Sequence, residues 1–207
     1  MPDYSHSAML AFYPQEPPER WFFGTDGDLP GARFTPHAEL HLTLVYLGDT
    51  QEMRTGMGMA VRALHAFAAH HGPVAGRVNG AGRFADDEEG AQPFVALYDA
   101  SALPTFRQDL IGALGCVDMT SASEHGFIPH LTLAYLPVGV PTPNFTPDFK
   151  LDFDTLWLVW DEERIPFKLG AAPLEIALRA LVPGLSERQV LQVKTVLEMR
   201  KGSGHAH

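Results

Sequence analysis

The chain has 207 residues, of which 45% are hydrophobic and 19% charged, a composition that is typical of a globular protein with its own core and excludes a disordered chain. Its 15 basic and 25 acidic residues give a formal net charge of −10, which argues against binding along a long nucleic acid, since that needs a basic surface. The single cysteine, Cys116, excludes an internal disulfide and a cysteine-based zinc site. Because the sequence shows neither a signal peptide nor an apolar stretch long enough to span a membrane, the expected compartment is the cytoplasm, away from membranes.

Hydrophobic periodicity predicts strands and helices that follow one another along the chain. The predicted strands span 8–13, 40–47, 74–84, 94–98, 126–136 and 151–160, and the predicted helices span 51–71 and 103–114. The stretch 24–36, rich in glycine and proline, and the acidic segment 86–90 are predicted to be loops. Because a helix lies between strand pairs in each half, the pattern favours an α+β fold with an internal pseudo-repeat.

The end of the chain differs from the rest and is predicted to be a separate appendage. Ser186 and Gln189 form a capping box ahead of an apolar helical spacing, and 202–207 resemble a flexible linker. We therefore divide the chain into a main domain, 1–171, and a helical C-terminal extension with a flexible tail, 172–207. The extension is expected to pack on the main domain or to contact another protein.

The most informative feature is a near-duplicate of seven residues. Positions 41–47 read HLTLVYL, and positions 130–136 read HLTLAYL. A single His-x-Thr match arises by chance in a chain with ten histidines, whereas two nearly identical heptapeptides do not. The alternative is that both halves solve the same packing problem and that these polar side chains are merely solvated, which a duplicate of this length disfavours.

Strand geometry predicts two faces for each copy, because successive side chains of a strand point to opposite sides. The first two leucines and the tyrosine of each copy are predicted to face the core. The other face then carries His41, Thr43 and Val45 in the first copy. In the second copy it carries His130, Thr132 and Ala134. This face is expected to line a groove, with the small residue leaving room for a ligand.

Two imidazoles and two hydroxyls suit chemistry at one phosphorus atom. A neutral imidazole can take a proton from the attacking oxygen, and a protonated one can give a proton to the leaving oxygen. The threonine hydroxyls can donate to phosphate oxygens as negative charge develops. None of these steps needs a cofactor or a metal. The i,i+4 pair His37 and His41 could bind zinc on a helix, but Pro36 and the alternation that follows favour a strand.

With these two motifs the sequence resembles the two-histidine (2H) phosphoesterase superfamily, specifically the 2′-5′ RNA ligase or RNA 2′,3′-cyclic phosphodiesterase type. That family carries two His-x-Thr-x motifs on strands, and the separation of 89 positions between His41 and His130 agrees with it. The flanking Leu47-Gly48 and Phe127-Ile128-Pro129 agree as well. The resemblance covers roughly residues 7–170. It implies a bilobal, pseudo-symmetric fold in which two β-sheets face each other across a cleft, with helices outside.

The resemblance also implies roles for the motif residues. His41 and His130 would be the general acid–base pair, and Thr43 and Thr132 would bind phosphate. In relatives the first histidine more often serves as the acid and the second as the base when a 2′,3′-cyclic phosphate is opened.

Three further residues are candidates for substrate binding. Tyr13, at the end of the first predicted strand, could stack on a base at the rim of the cleft, although a partly buried edge aromatic would look the same. Arg83 and Lys168 could neutralise phosphate.

The implied activity is a metal-independent phosphodiesterase for 2′,3′-cyclic phosphate RNA ends or for small cyclic or 2′-5′ oligonucleotides. The scarcity of cationic residues favours a short or cyclic nucleotide over a structured RNA such as tRNA. Two alternatives stay open. One is a phage-type hydrolase of cyclic oligonucleotide immune signals. The other is a non-catalytic nucleotide-binding module that the segment 172–207 tethers to a larger assembly.

Overall fold

A computed structural model of the protein describes residues 6–15, 18–21, 23, 29–53, 56–85, 90–119, 126–161 and 163–170. Within these ranges the chain forms nine strands, two α-helices and two short 3-10 helices. The C-terminal extension expected at 172–207 and most of the acidic loop expected at 86–90 lie outside the described residues.

The elements follow the predicted alternation. The strands are β1 Ser7–Phe12, β2 Arg33–Phe34, β3 Leu42–Asp49, β4 Val74–Arg83, β5 Ala91–Asp99, β6 His130–Pro137, β7 Phe149–Phe153, β8 Thr155–Trp160 and β9 Glu163–Lys168. The helices are α1 Met57–His70 and α2 Leu103–Gly115, and the 3-10 helices are Pro18–Trp21 and His37–Glu39.

The strands form two antiparallel sheets, and each sheet contains one copy of the repeated motif. The first sheet has the strand order β3-β1-β8-β9, with the first motif on its edge strand β3. The second sheet has the order β2-β6-β5-β4-β7, with the second motif on β6. The pseudo-symmetric α+β fold of two sheets with a cleft between them is therefore confirmed.

One predicted strand is wrong. The segment 151–160 is two strands that break at Asp154, and they belong to different sheets, since β7 pairs with β4 and β8 pairs with β1. The Asp154 carboxylate accepts hydrogen bonds from the Thr155 hydroxyl at 2.7 Å and from Lys168. Such local bonds compete with a continuous ladder, and the apolar alternation that runs through the break hides it in the sequence. A smaller correction is that the predicted loop 24–36 contains the short strand β2.

The core joins the two sheets to the helices. The predicted apolar face of α2 is confirmed, with four residues buried at helical spacing: Leu103, Phe106, Leu110 and Leu114. Phe12 of the first sheet stacks on Phe153 of the second sheet at 4.7 Å and contacts Phe106 at 5.5 Å between ring centroids. Because this packing ties both sheets to α2, it limits how far the two motif strands can move apart.

Candidate active site

Both motif strands contain a β-bulge at the same place, the second leucine of the motif. Against β1, Val45 pairs with Leu10 and Thr43 pairs with Ala11, which makes Leu44 the extra residue. An extra residue on one strand reverses the alternation of side chains beyond it. The bulge therefore divides the motif into two parts, and the alternation of side chains between the two faces is reversed from one part to the other.

The second motif repeats this irregularity. Against β5, Ala134 pairs with Phe94 and Thr132 pairs with Val95, which leaves Leu133 as the extra residue. The duplicated sequence thus folds into a duplicated backbone distortion. The phase change is the same in both sheets.

The bulges overturn the predicted faces beyond the threonines. Val45 and Ala134, expected beside the ligand, are buried at 1% and 0% exposure. Tyr46, expected in the core, is 39% exposed, and both Tyr46 and Tyr135 line the same cavity as Thr43 and Thr132. The pattern on the cleft side is therefore His-x-Thr-x-x-Tyr rather than strict alternation.

The tyrosines and threonines open on a cavity of about 470 Å³ between the two sheets. Residues of the first sheet, including Met9 and Val159, line one side. Residues of β2 and β6 in the second sheet, including Phe34, line the other side. Four charged side chains border it, namely Arg33, Glu39, Asp161 and Arg164. A cavity of this size, with apolar walls and a few polar groups, has the usual character of a small-molecule site.

The two motif histidines are held in the same way. The Nδ1–H of His41 donates to the Glu39 carbonyl at 2.7 Å, and that of His130 donates to the Ile128 carbonyl at 2.7 Å. In each case the acceptor lies two residues before the histidine. A donor at Nδ1 fixes the tautomer and leaves Nε2 as the atom that can accept or give a proton.

The charge of one motif histidine also acts on the other. His41 lines the cavity, whereas His130 lies beside it, two positions before the cavity residue Thr132 on the same strand. A positive charge on His130 lowers the pKa of His41, which requires the rings to be within electrostatic reach. Each ring has an aromatic neighbour, Tyr13 for His41 at 5.7 Å and Phe84 for His130 at 4.7 Å between centroids.

Burial lowers the pKa of both histidines below the ordinary value for this residue, because a charged imidazolium loses hydration in the cleft. The hydrogen bond to the backbone carbonyl opposes this effect in both residues. At His41 the positive charges of Arg164 and His130 lower the pKa further, and the Glu39 carboxylate raises it. Both imidazoles are therefore biased towards the neutral form when no anion is bound.

Of the three further candidates, the structure brings only Tyr13 to the cavity. The Arg83 guanidinium donates to the Gln92 side chain and to the Val140 carbonyl, each at 2.8 Å. Lys168 pairs with Asp154 at the far end of the β8–β9 hairpin. Neither side chain lines the cavity.

The cavity instead contains two cations that sequence reasoning missed, Arg33 and Arg164. Arg33 lies on β2 and stacks over the Tyr135 ring at 5.4 Å. Arg164 lies on β9, with its guanidinium 4.6 Å from the Tyr13 ring centroid and a 2.9 Å hydrogen bond to the Ala38 carbonyl. No local signal marks these arginines, because only strand pairing brings them beside the motifs.

No group of three or more histidine, cysteine, aspartate or glutamate residues in the described part of the chain is arranged to hold a metal ion. No helix among the described residues is both long and apolar enough to cross a membrane.

Comparisons with known proteins agree with this architecture. A sequence model of the 2′-5′ RNA ligase superfamily matches residues 22–164. The fold is similar to that of TT0787 of Thermus thermophilus, with a TM-score of 0.59, 19% identity, and coverage of 79% of this chain and 98% of that one. It is also similar to Usb1 of Kluyveromyces marxianus, with a TM-score of 0.52, 8% identity, and coverage of 79% of this chain and 98% of that one.

LigT of E. coli in its apo form aligns less closely, with a TM-score of 0.48, 19% identity, and coverage of 79% of this chain and 94% of that one. Curated proteins show no significant match to this sequence. The family model spans more than half of the chain, including both motif strands. The chain therefore belongs to the 2′-5′ RNA ligase superfamily, the 2H phosphoesterases.

Proposed function

We propose that the protein is a metal-independent phosphodiesterase that opens 2′,3′-cyclic phosphate ends of RNA or cleaves small cyclic or 2′-5′-linked oligonucleotides. The observation that carries this proposal is the matched pair of imidazoles. Each Nδ1–H is bound at 2.7 Å by the carbonyl two residues earlier, and each histidine precedes a threonine that lines one shared cavity. Such a pair supports general acid–base catalysis with Nε2 of each ring as the reactive atom.

Hydrolysis of a cyclic phosphate would use the two rings in opposite protonation states. The neutral imidazole takes a proton from water through Nε2 as the water oxygen bonds to phosphorus. The protonated imidazole gives its Nε2 proton to the ribose oxygen as the P–O bond breaks. The product is a phosphate monoester, and the two rings have exchanged protonation states, which solvent then resets.

The charges around the rings favour one direction. Burial lowers the pKa of both histidines, and a backbone hydrogen bond raises the pKa of both. Only His41 has charged neighbours that act on its pKa: Arg164 and His130 lower it, and the Glu39 carboxylate raises it. We therefore propose His41 as the base and His130 as the acid, the reverse of the assignment that the family resemblance implies.

Other cavity side chains would bind the phosphate. The hydroxyls of Thr43 and Thr132 would donate to the non-bridging oxygens as charge develops. Arg33 and Arg164, which border the cavity, replace Arg83 and Lys168 as the proposed source of positive charge. The tyrosines that the bulges turn into the cleft add two further hydroxyl donors beside the threonines.

The proposed substrate is a short or cyclic nucleotide rather than a structured RNA, and the proposed compartment is the cytoplasm, where a lone cysteine stays reduced. The C-terminal segment 172–207 is proposed as the contact with another protein. The same substrates test the two sequence-based alternatives. A phage-type hydrolase would turn over cyclic oligonucleotides, and a non-catalytic module would bind a nucleotide without turning it over.

The test is turnover on a panel of 2′,3′-cyclic mononucleotides, short RNAs with cyclic phosphate ends, 2′-5′ oligonucleotides and cyclic dinucleotides. His41→Asn and His130→Asn retain an amide N–H for the backbone carbonyl but cannot transfer protons. Each is expected to lower kcat/KM by about 10²–10⁴-fold. His70→Ala, on the exposed end of α1, is the matched control and should retain wild-type turnover.

Near wild-type rates in either asparagine variant would overturn the acid–base assignment. Binding without product across the whole panel would favour the non-catalytic module. EDTA is expected to leave turnover unchanged, and a strong inhibition that added metal reverses would overturn the metal-independent mechanism.

A further inference from the structure

A second, smaller cavity of about 210 Å³ adjoins the active-site cavity. The two cavities have two lining residues in common, Tyr13 and Arg164. The remaining residues of the smaller cavity are Pro14, Gln15, His37, Ala38, Leu40 and Trp157. It therefore lies on the His41 side of the cleft, behind the pair formed by Tyr13 and Arg164.

The lining of the smaller cavity suits a flat heteroaromatic ring. Tyr13 and Trp157 meet edge to face at 5.8 Å between ring centroids, and Pro14, Ala38 and Leu40 add apolar surface. The volume exceeds the roughly 150 Å³ of an apolar protein cavity that holds benzene. Such a space takes a single base and is too small for a second complete nucleotide.

The same cavity also offers a polar group for the edge of a base. Gln15 lines it, and its side-chain amide can both donate and accept hydrogen bonds. The ring nitrogens, carbonyl oxygens and amino groups of a base have the matching acceptors and donors.

Arg164 marks the passage between the cavities. One of its Nη atoms is bound by the Ala38 carbonyl at 2.9 Å, and its plane covers the Tyr13 ring at 4.6 Å. A guanidinium has five N–H donors in a rigid fork, so donors remain after this bond. A chain that passes from one cavity to the other would bring a linking phosphate against this charge.

We propose that the smaller cavity binds the base of the nucleotide adjacent to the one that reacts, with the linking phosphodiester at Arg164. This inference rests on the proposed function and deepens it. The substrate would then be an oligonucleotide of at least two residues rather than a mononucleotide.

The test compares kcat/KM for three substrates of the wild-type protein. These are a mononucleotide 2′,3′-cyclic phosphate, a dinucleotide with the same cyclic phosphate end, and that dinucleotide with an abasic 5′ ribose. The full dinucleotide is expected to exceed the mononucleotide roughly tenfold or more, as one stacked base would provide. The abasic dinucleotide should lose most of this advantage, because the linking phosphate alone cannot fill the cavity.

Variants assign the advantage to this cavity. Trp157→Phe reduces the aromatic surface of the cavity, and Gln15→Ala removes the side-chain amide. Both variants should lower the ratio of dinucleotide to mononucleotide kcat/KM several-fold. If Trp157→Phe does not fold, Gln15→Ala still tests the proposal. His70→Ala, outside both cavities, should leave the ratio at its wild-type value.

The outcomes separate this inference from the function on which it rests. If the mononucleotide is turned over in a His41- and His130-dependent manner but the dinucleotide is no better, the second subsite is wrong and the proposed function stands. If the advantage survives in the abasic substrate or in both variants, the base is not bound here. If none of these substrates is turned over, the second subsite and the proposed opening of 2′,3′-cyclic phosphate ends are both overturned.

Discussion

At the scale of single residues, the proposed chemistry depends on how two histidines are held. In each, a main-chain carbonyl two residues earlier accepts the Nδ1–H, so the rotation of the ring is set locally and Nε2 is left as the proposed reactive nitrogen. A ligand-free cleft that disfavours charge lowers the pKa of both rings and so favours their neutral form. A phosphate anion would reverse that bias, because it stabilises an imidazolium beside it.

We predict that kcat/KM follows a bell-shaped pH profile with its maximum below about pH 6.5, the ordinary histidine value. Both pKa values of the free protein are lowered, so protonation of the base sets the acid limb and loss of the proton from the acid sets the alkaline limb. The kcat profile should peak at higher pH than kcat/KM, because the bound anion raises both pKa values. Initial rates from about pH 4 to about pH 9 at saturating and limiting substrate check this.

The direction of proton transfer has its own readout. In NMR titrations of the free protein, His41 is expected to titrate at lower pH than His130. Arg164→Met should raise the pKa of His41, because it removes a positive charge that now lowers it. A pKa of His41 that stays constant in this variant, or that lies above the pKa of His130, would contradict the assignment of His41 as the base.

At the scale of elements, the duplicated bulge decides which side chains share the cleft with the histidines. The carbonyl of the bulged Leu44 accepts a hydrogen bond from Nε of Arg107 at 2.7 Å. Arg107 lies on α2, and its guanidinium also stacks on Phe127 at 4.5 Å, three residues before His130. One arginine thus contacts the first motif and the segment that leads into the second.

We predict that Arg107→Met lowers the free energy of unfolding by about 1–3 kcal/mol, because it leaves the Leu44 carbonyl without its charged donor. It should also lower kcat/KM at temperatures where the variant is fully folded, since the position of Thr43 depends on the bulge. Denaturant unfolding and steady-state kinetics measure the two effects. Arg107→Lys, which keeps a donor, should restore part of both.

Arg77→Met is the control for the loss of a surface arginine. Arg77 pairs with Asp148 where both side chains are exposed, and such pairs contribute about 1 kcal/mol or less. If Arg107→Met changed stability and kcat/KM no more than Arg77→Met does, Arg107 would have no part in holding the bulge.

At the scale of the whole molecule, the cleft is less negative than the chain as a whole. The chain carries a formal charge of −10, whereas the cleft is bordered by two arginines and by two carboxylates, Glu39 and Asp161, whose charges balance. A long polyanion meets repulsion from the net negative charge of the chain, but a short one that enters the cleft can contact Arg33 and Arg164. This arrangement favours small substrates without excluding an anion from the site.

We predict that extending the substrate beyond the two nucleotides that the two cavities are proposed to bind does not raise kcat/KM. Contacts with about two phosphates also predict a weak salt dependence, a loss of roughly tenfold or less between about 50 and 200 mM salt. Kinetics on a series of cyclic-phosphate RNAs of increasing length measures both effects. A kcat/KM that rises with length, or that falls by several orders of magnitude in salt, would indicate an extended RNA-binding surface outside the cleft.

The sequence by itself determined the fold class, the alternation of strands and helices, and the repeated motif. These properties follow from hydrophobic periodicity and from local similarity, which depend on neighbours in the chain. The apolar face of α2 and the buried leucines of the motifs were predictable for the same reason. His41, Thr43, His130 and Thr132 could be chosen because a seven-residue copy is improbable by chance.

Only the tertiary structure decided the rest of the site. The bulges at Leu44 and Leu133 arise from pairing with β1 and β5, and they bury Val45 and Ala134 while turning the tyrosines into the cleft. Arg33 and Arg164 come from strands on different sheets and meet at the cavity through pairings that no local pattern encodes. Interactions between chain neighbours determine hydrophobic periodicity, which can be read from the sequence. Packing across the whole chain determines strand register and which distant strands approach one another. The charged residues at the cleft and the cavities therefore could not be predicted from the sequence.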